Sequence, residues 1–233
     1  MSSSFILTLV FAVALAAGLL VKFWLASRQI RHVAQHRDTV PAAFAKTVTL
    51  AAHQKAANYT VAKARFGLLE MAFGAAVLLG WTLLGGLHAL NQLLLSWLGG
   101  GMLQQLALLA AFAVISGLID LPFTLYQTFV IEQRYGFNKM TPRLWLADLA
   151  KSTLVGAIIG LPIVALILWL MGALPASPWW MSWWLVAWAV WMGFNLLLLV
   201  IYPTFIAPLF NQFKPLDDEV LKSRATTLMQ RCG

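Results

Sequence analysis

Four histidines, eight carboxylates and one cysteine are the side chains with which this 233-residue chain could do metal, acid–base or nucleophilic chemistry. A helical zinc site of the H-E-x-x-H type sets two imidazoles on one face with a general base between them. None of His32, His36, His53 and His88 begins that motif. His32 and His36 are four apart and would share a helical face. The nearest carboxylate is Asp38, so two imidazoles in a basic segment are the simpler reading. The sequence has no G-x-S-x-G nucleophile turn and no Walker-type glycine loop. What remains are polar groups in apolar surroundings. An ionisable group in a membrane span is a functional candidate by default. Glu70 follows Lys63 and Arg65, so a local ion pair competes with a place on a polar cavity. Asp120 precedes Pro122, and a broken helix needs polar surroundings; cavity lining and a structural partner stand as alternatives. Glu70, Asp120 and Asn195 are the candidate chamber-lining or structural polar residues. No residue is expected to be catalytic, and no cofactor or metal is expected in this chain.

Helices in a bilayer must position these groups. The chain is 61% hydrophobic and 10% charged, with a mean hydropathy of +0.80. Soluble domains carry roughly 25% charged residues. This composition excludes an ordinary soluble domain, a disordered chain and a disulfide scaffold; Cys232 is a single cysteine. Three stretches, 1–21, 71–119 and 152–213, contain no Asp, Glu, Lys or Arg. At about 20 residues per span they hold one, two and two helices. Breaks are expected near Asn91-Gln92, at Gly99–Gly101 and at Pro175–Pro178. The expected fold class is all-α: a polytopic membrane helical bundle with cytoplasmic helical extensions, its spans at 5–26, 67–90, 102–130, 153–174 and 180–206. Continuous apolar runs without alternation argue against a barrel. Near Asp120 and Pro122 the third helix is expected to kink or leave the bilayer. Ala14-Leu15-Ala16 has the form of a signal-peptide cleavage site. No cation precedes that apolar run, however, and it continues to Trp24, so a retained span is expected.

The charge is unevenly placed. Segment 27–66 holds seven basic residues against Asp38, a net +6 of the total +8. By the positive-inside rule this segment, 131–152 and 207–233 are cytoplasmic, with the N-terminus outside. Anionic lipid headgroups account for the basic segment, and no nucleic-acid partner is expected. Segment 41–66 reads as a helix with Pro41 in its first turn and Asp38 or Thr39 as cap. Gly136 reads as a helix stop, and Thr141-Pro142 as a restart. Asp217, Asp218 and Glu219 suit the start of a tail helix whose apolar stripe is Val220, Leu221, Ala225, Leu228 and Met229. Trp179, Trp180, Trp183 and Trp184 suit an interfacial belt.

The remaining polar segments carry a resemblance. Asn58-Tyr59-Thr60-Val61-Ala62-Lys63-Ala64-Arg65-Phe66 is similar to the segment leading into the second helix of the type I CAAX prenyl proteases, which are membrane zinc metallopeptidases. So are Asp120-Leu121-Pro122-Phe123 with Phe129-Val130-Ile131-Glu132, and Tyr135–Pro142. Tyr202-Pro203-Thr204-Phe205-Ile206-Ala207-Pro208-Leu209-Phe210-Asn211 through Leu216 completes the series, with His36-Arg37 and Val40-Pro41 at its start. The resemblance implies seven spans around an internal chamber, one zinc held by H-E-x-x-H and a later glutamate, and cleavage of prenylated peptides or membrane proteins. The zinc machinery lies downstream of the matched region in that family, so no ligand and no catalytic residue is carried over. Residues 1–233 are expected to form one N-terminal membrane domain. It is expected to be inactive alone and to sit in a bacterial inner membrane, its partners being membrane lipids, a missing C-terminal catalytic region and a peptide substrate. A stand-alone membrane scaffold is the alternative. A small transporter is a weaker one, because the spans hold few mid-bilayer polar groups.

Overall fold

The computed structural model describes residues 3–174, 182–210 and 218–232. Among these residues there are helices and short connections and no strand. Among the described residues five helices are long and apolar enough to cross a bilayer: Ser3–Gln35, Leu50–Thr82, Met102–Glu132, Pro142–Ala173 and Trp183–Phe210. Their surfaces expose large apolar side chains, among them Leu7, Leu20, Leu154, Leu196 and Leu199. Water would not tolerate that surface, whereas lipid does. At 1.5 Å per residue, a 33-residue helix is about 50 Å long against a hydrocarbon layer of about 30 Å. Helices α1 (Ser3–Gln35) and α2 (Leu50–Thr82), both of 33 residues, therefore extend beyond the bilayer.

The chain forms two compact units, residues 1–145 and 146–233. In the first, α1 and α2 pack as an antiparallel hairpin. The connection differs from the expected helix at 41–66. Pro41 begins only a short 3₁₀ turn, Ala42–Phe44, and α2 starts at Leu50. The cap is Thr49, whose Oγ1 accepts the Ala52 N–H at 3.3 Å. Asp38 is engaged elsewhere, accepting from Gln54 Nε2 at 2.9 Å and pairing with Arg37 at 3.5 Å. The β-branched Thr47-Val48-Thr49 run also disfavours helix.

The break expected at Asn91-Gln92 lies earlier. Helix α2 ends at Thr82, and α3 (Gly86–Leu98) follows a turn in which Gly85 takes φ 81°. Close approach also constrains Gly86, where a Cβ would stand 2.8 Å from the Gly80 carbonyl oxygen. Asn91 lies inside α3 and accepts from Gln104 Nε2 at 2.7 Å; Gln104 is buried on α4 (Met102–Tyr126). The glycine break at 99–101 is present, with Gly99 and Gly101 at positive φ. Helix α4 runs through Asp120 and Pro122 without ending and widens into a π-helical segment, Gln127–Glu132.

That segment stops as expected. Gly136, at φ 73°, lets the Phe137 N–H reach the Glu132 carbonyl at 2.9 Å while its own N–H reaches Gln133 at 3.0 Å. These are the two bonds of a Schellman stop. Thr141 then caps α5 (Pro142–Ala173) through the Leu144 N–H at 3.3 Å. A left-handed φ is costly for a branched side chain. Gly136→Val is therefore expected to destabilise the protein by about 1–2 kcal/mol, read as a fall in melting temperature in detergent. Gly136→Asn should lose less, because Asn tolerates this region.

In the second unit, α5 continues past Pro162, and α6 (Trp183–Ile201) leads into a second π segment, Tyr202–Ile206, and a short α7 (Ala207–Phe210). Helix α8 (Glu219–Cys232) is capped by Asp218, whose Oδ1 accepts the Val220 and Leu221 N–H groups at 2.9 and 3.1 Å. Val220, Leu221, Leu228 and Met229 on it are exposed. Trp183 is half-buried and Trp184 exposed. Pro175–Pro178, Trp179, Trp180 and residues 211–217 lie outside the described residues.

Candidate functional site

The motif segments at 58–66, 120–123, 129–132 and 135–142 lie in the first unit, where rings from them meet. Tyr59 on α2 meets Tyr135 with ring centroids 5.5 Å apart and Phe137 at 4.6 Å. One helical stretch further, Phe66 stacks on Tyr126 at 5.0 Å and faces Phe123 at 6.0 Å, and Phe73 meets Phe123 at 4.7 Å. The run Asn58–Phe66 thus packs along the end of α4 and the π segment. Ile131 and Ala57 are buried where they meet. A π turn adds a residue to the helical turn and rotates the chain beyond it, a feature common at functional sites. Beyond it Tyr135 meets Tyr59 of α2, and Arg134 lines the same cavity as Asn58 and Arg65. Pro122 has no N–H to give the Leu118 carbonyl, and Thr124 bonds the Asp120 carbonyl through Oγ1 at 3.1 Å.

Beside this seam lies a cavity of about 930 Å³. Its polar lining is Arg37, Asp38, Asn58, Arg65, Arg134 and the two tyrosines, Tyr126 and Tyr135; Val61, Phe66, Leu69, Val130 and Ile131 contribute an apolar wall. Arg37 donates to Asn58 Oδ1 at 3.3 Å and pairs with Asp38. His53 Nε2 bonds the His36 carbonyl at 3.1 Å, latching the 36–38 turn to α2. Arg65 and Arg134 form no hydrogen bond or ion pair among the described residues.

The sequence candidates sit apart from this cavity. Glu70 and Asp120 are exposed and line no part of it. Among the described residues no ion pair reaches either; the salt bridges are Arg37–Asp38, Lys151–Asp148 and Lys222–Glu219. Asn195, in the second unit, is exposed and donates to the Trp191 carbonyl at 2.7 Å. His88 is exposed. Sequence reasoning missed Arg65 and Arg134 because they stand outside the charge-free stretches. The signal for Arg65 was its place in the resembling Asn58–Phe66 run; Arg134 falls between two such segments and had none.

Among the described residues no three His, Cys, Asp or Glu side chains come together. The His32 and His36 rings are 4.2 Å apart, but His36 Nδ1 bonds the His32 carbonyl at 2.8 Å, and His53 Nε2 is taken by the His36 carbonyl.

A sequence model described as CAAX prenyl protease N-terminal, five membrane helices, matches residues 29–212. CAAX prenyl protease 1 of Saccharomyces cerevisiae is 36% identical over 130 residues, covering 56% of this chain and 28% of its own length. Probable CAAX prenyl protease 1 of Schizosaccharomyces pombe is 29% identical over 218 residues, covering 88% of this chain and 44% of its own. In the crystal structure of S. mikatae Ste24p the likeness has a TM-score of 0.80 at 28% identity, over 97% of this chain and 52% of that one. The chain thus spans about half of Ste24p and less than half of these curated relatives. With that family model spanning most of its length and a Ste24p-like helical membrane fold, this integral membrane chain belongs to the CAAX prenyl protease N-terminal family.

Proposed function

We propose that this chain is the membrane half of a CAAX-type zinc metalloendopeptidase, forming part of the chamber in which a prenylated peptide or membrane protein is cut, and that alone it is inactive. The observation that carries this reading is a family match over 29–212 on a chain that spans only about half of Ste24p. Zinc would act as Lewis acid and water activator on residues supplied from elsewhere; among the described residues no three His, Cys, Asp or Glu side chains come together to hold it. Exposed polar groups in apolar helices support the chamber reading. Glu70, Asp120 and Asn195 would be costly against lipid and would face polar surroundings in the assembled enzyme. The +6 segment at 27–66 supports an outside N-terminus and a cytoplasmic C-terminus. A bacterial inner membrane finds no support from the Saccharomyces and Schizosaccharomyces relatives, which are fungal. A stand-alone scaffold derived from the protease is the second reading. The reading frame beyond Gly233 separates the two: an H-E-x-x-H downstream favours the protease half, and a stop followed by unrelated sequence favours the scaffold.

The purified 233-residue chain, supplied with zinc and a prenylated CAAX peptide, is expected to release no product above the buffer blank, while a full-length relative cleaves in parallel. Chelator-sensitive cleavage by the chain alone would overturn the proposal.

A further inference from the structure

The cavity beside α2 has a charge and shape that the protease reading does not use. Three guanidinium groups line it against one carboxylate. Asp38 is already held by Arg37 and Gln54, and Arg37 also holds Asn58. Arg65 and Arg134 remain without a hydrogen bond or ion pair among the described residues. The phenols of Tyr126 and Tyr135 line the same space. Guanidinium forks suit phosphate, which they bind through paired N–H donors. The rest of the lining is apolar, including Phe66 and Leu69 on α2 and Val130 and Ile131 on the π segment. Along α2, Arg65 is followed by Phe66 and, one turn on, Leu69, at the point where the charged segment gives way to the apolar span. A ligand that satisfies both kinds of lining carries an anion at one end and hydrocarbon at the other.

We propose that this cavity binds one anionic glycerophospholipid, its headgroup phosphate on Arg65 and Arg134 and an acyl chain along Phe66 and Leu69. A soluble phosphate would leave the apolar wall unused. The proposal needs only that the chain lies in a membrane. It stands or falls independently of the protease reading.

The test is native mass spectrometry of the protein extracted from its own membrane into neutral detergent and stripped of lipid. The probes are palmitoyl-oleoyl phosphatidylglycerol, palmitoyl-oleoyl phosphatidylcholine and inorganic phosphate. One copy of phosphatidylglycerol is expected to bind about tenfold or more tightly than phosphatidylcholine. Arg65→Gln combined with Arg134→Gln is expected to erase that preference, since each basic group near a lipid surface contributes about a fivefold factor. Arg28→Gln with Arg31→Gln, which removes the same charge outside the cavity, is expected to leave it within about twofold. Equal binding of the two lipids, an equal loss in both variant pairs, or displacement of phosphatidylglycerol by inorganic phosphate would each overturn the proposal. The lipid preference of the unmodified protein requires no variant, so a misfolded double variant leaves the decision intact.

Discussion

Replacing Tyr59 by Ala is expected to destabilise the protein by about 2–3 kcal/mol, one of the two largest effects expected of any single substitution. Tyr59 is the ring through which α2 grips the chain after the π segment, with Tyr135 at 5.5 Å and Phe137 at 4.6 Å. Each aromatic pair contributes about 0.5–1.5 kcal/mol beyond the area it covers. Truncation also removes the ring that fills the space between α2 and the chain at Tyr135 and Phe137. Losing two ring contacts at one place therefore loosens the seam directly. Tyr59→Phe keeps both rings and gives up only the hydroxyl, which Lys63 Nζ reaches at 3.5 Å; its cost should stay below about 1 kcal/mol. Thermal unfolding in detergent, followed by circular dichroism, checks the ranking. Equal melting temperatures for Tyr59→Ala and the unmodified protein would remove the seam from the account.

The Asn91→Leu variant is expected to lose about 2 kcal/mol, and Asn91→Leu with Gln104→Leu to recover most of it. Gln104 is 5% exposed, and its Nε2 donates to Asn91 Oδ1 at 2.7 Å. Removing the acceptor leaves a buried amide in apolar surroundings with no partner, and such a group bears its whole desolvation cost. Removing both amides leaves nothing to satisfy. The reversal on the second substitution is the diagnostic result, because a purely steric role for Asn91 would make the double variant at least as unstable as the single. A double-mutant cycle on melting temperatures reads the coupling.

These two sites also mark what was legible in the sequence. Apolar run length sufficed for five helices able to span a bilayer, since the spacing of charges along a helix is a local property. The stop at Gly136 and the restart at Thr141 were legible too: the left-handed φ and the missing proline N–H leave little choice of residue. Asn91 was misread as loop. Its polarity looked like a break, whereas a partner 13 residues away makes it a helix-to-helix bond. The start of α2 was misplaced because Asp38, a good cap in isolation, is used by Gln54. Glu70 and Asp120 drew notice as charges in apolar helices. The cavity instead gathers Arg37 and Arg65, which look like ordinary members of the basic 27–66 segment, with Arg134 from a segment of nearly balanced charge. Nothing local distinguishes an arginine facing lipid headgroups from one facing a pocket. Only the packing of α2 against the π segment does, and no residue pattern announced a π turn after Tyr126.

The central claim is that this chain supplies the membrane half of a CAAX-type protease whose zinc chemistry is held elsewhere. A chimera tests it most directly: residues 1–210 of this chain joined to the remainder of CAAX prenyl protease 1 of Saccharomyces cerevisiae, assayed on a prenylated CAAX peptide with zinc content measured in parallel. The chimera is expected to bind one zinc and to cleave the peptide in a chelator-sensitive way. A chimera that folds and holds its zinc yet leaves the peptide intact, while the yeast parent cleaves it, would contradict the claim.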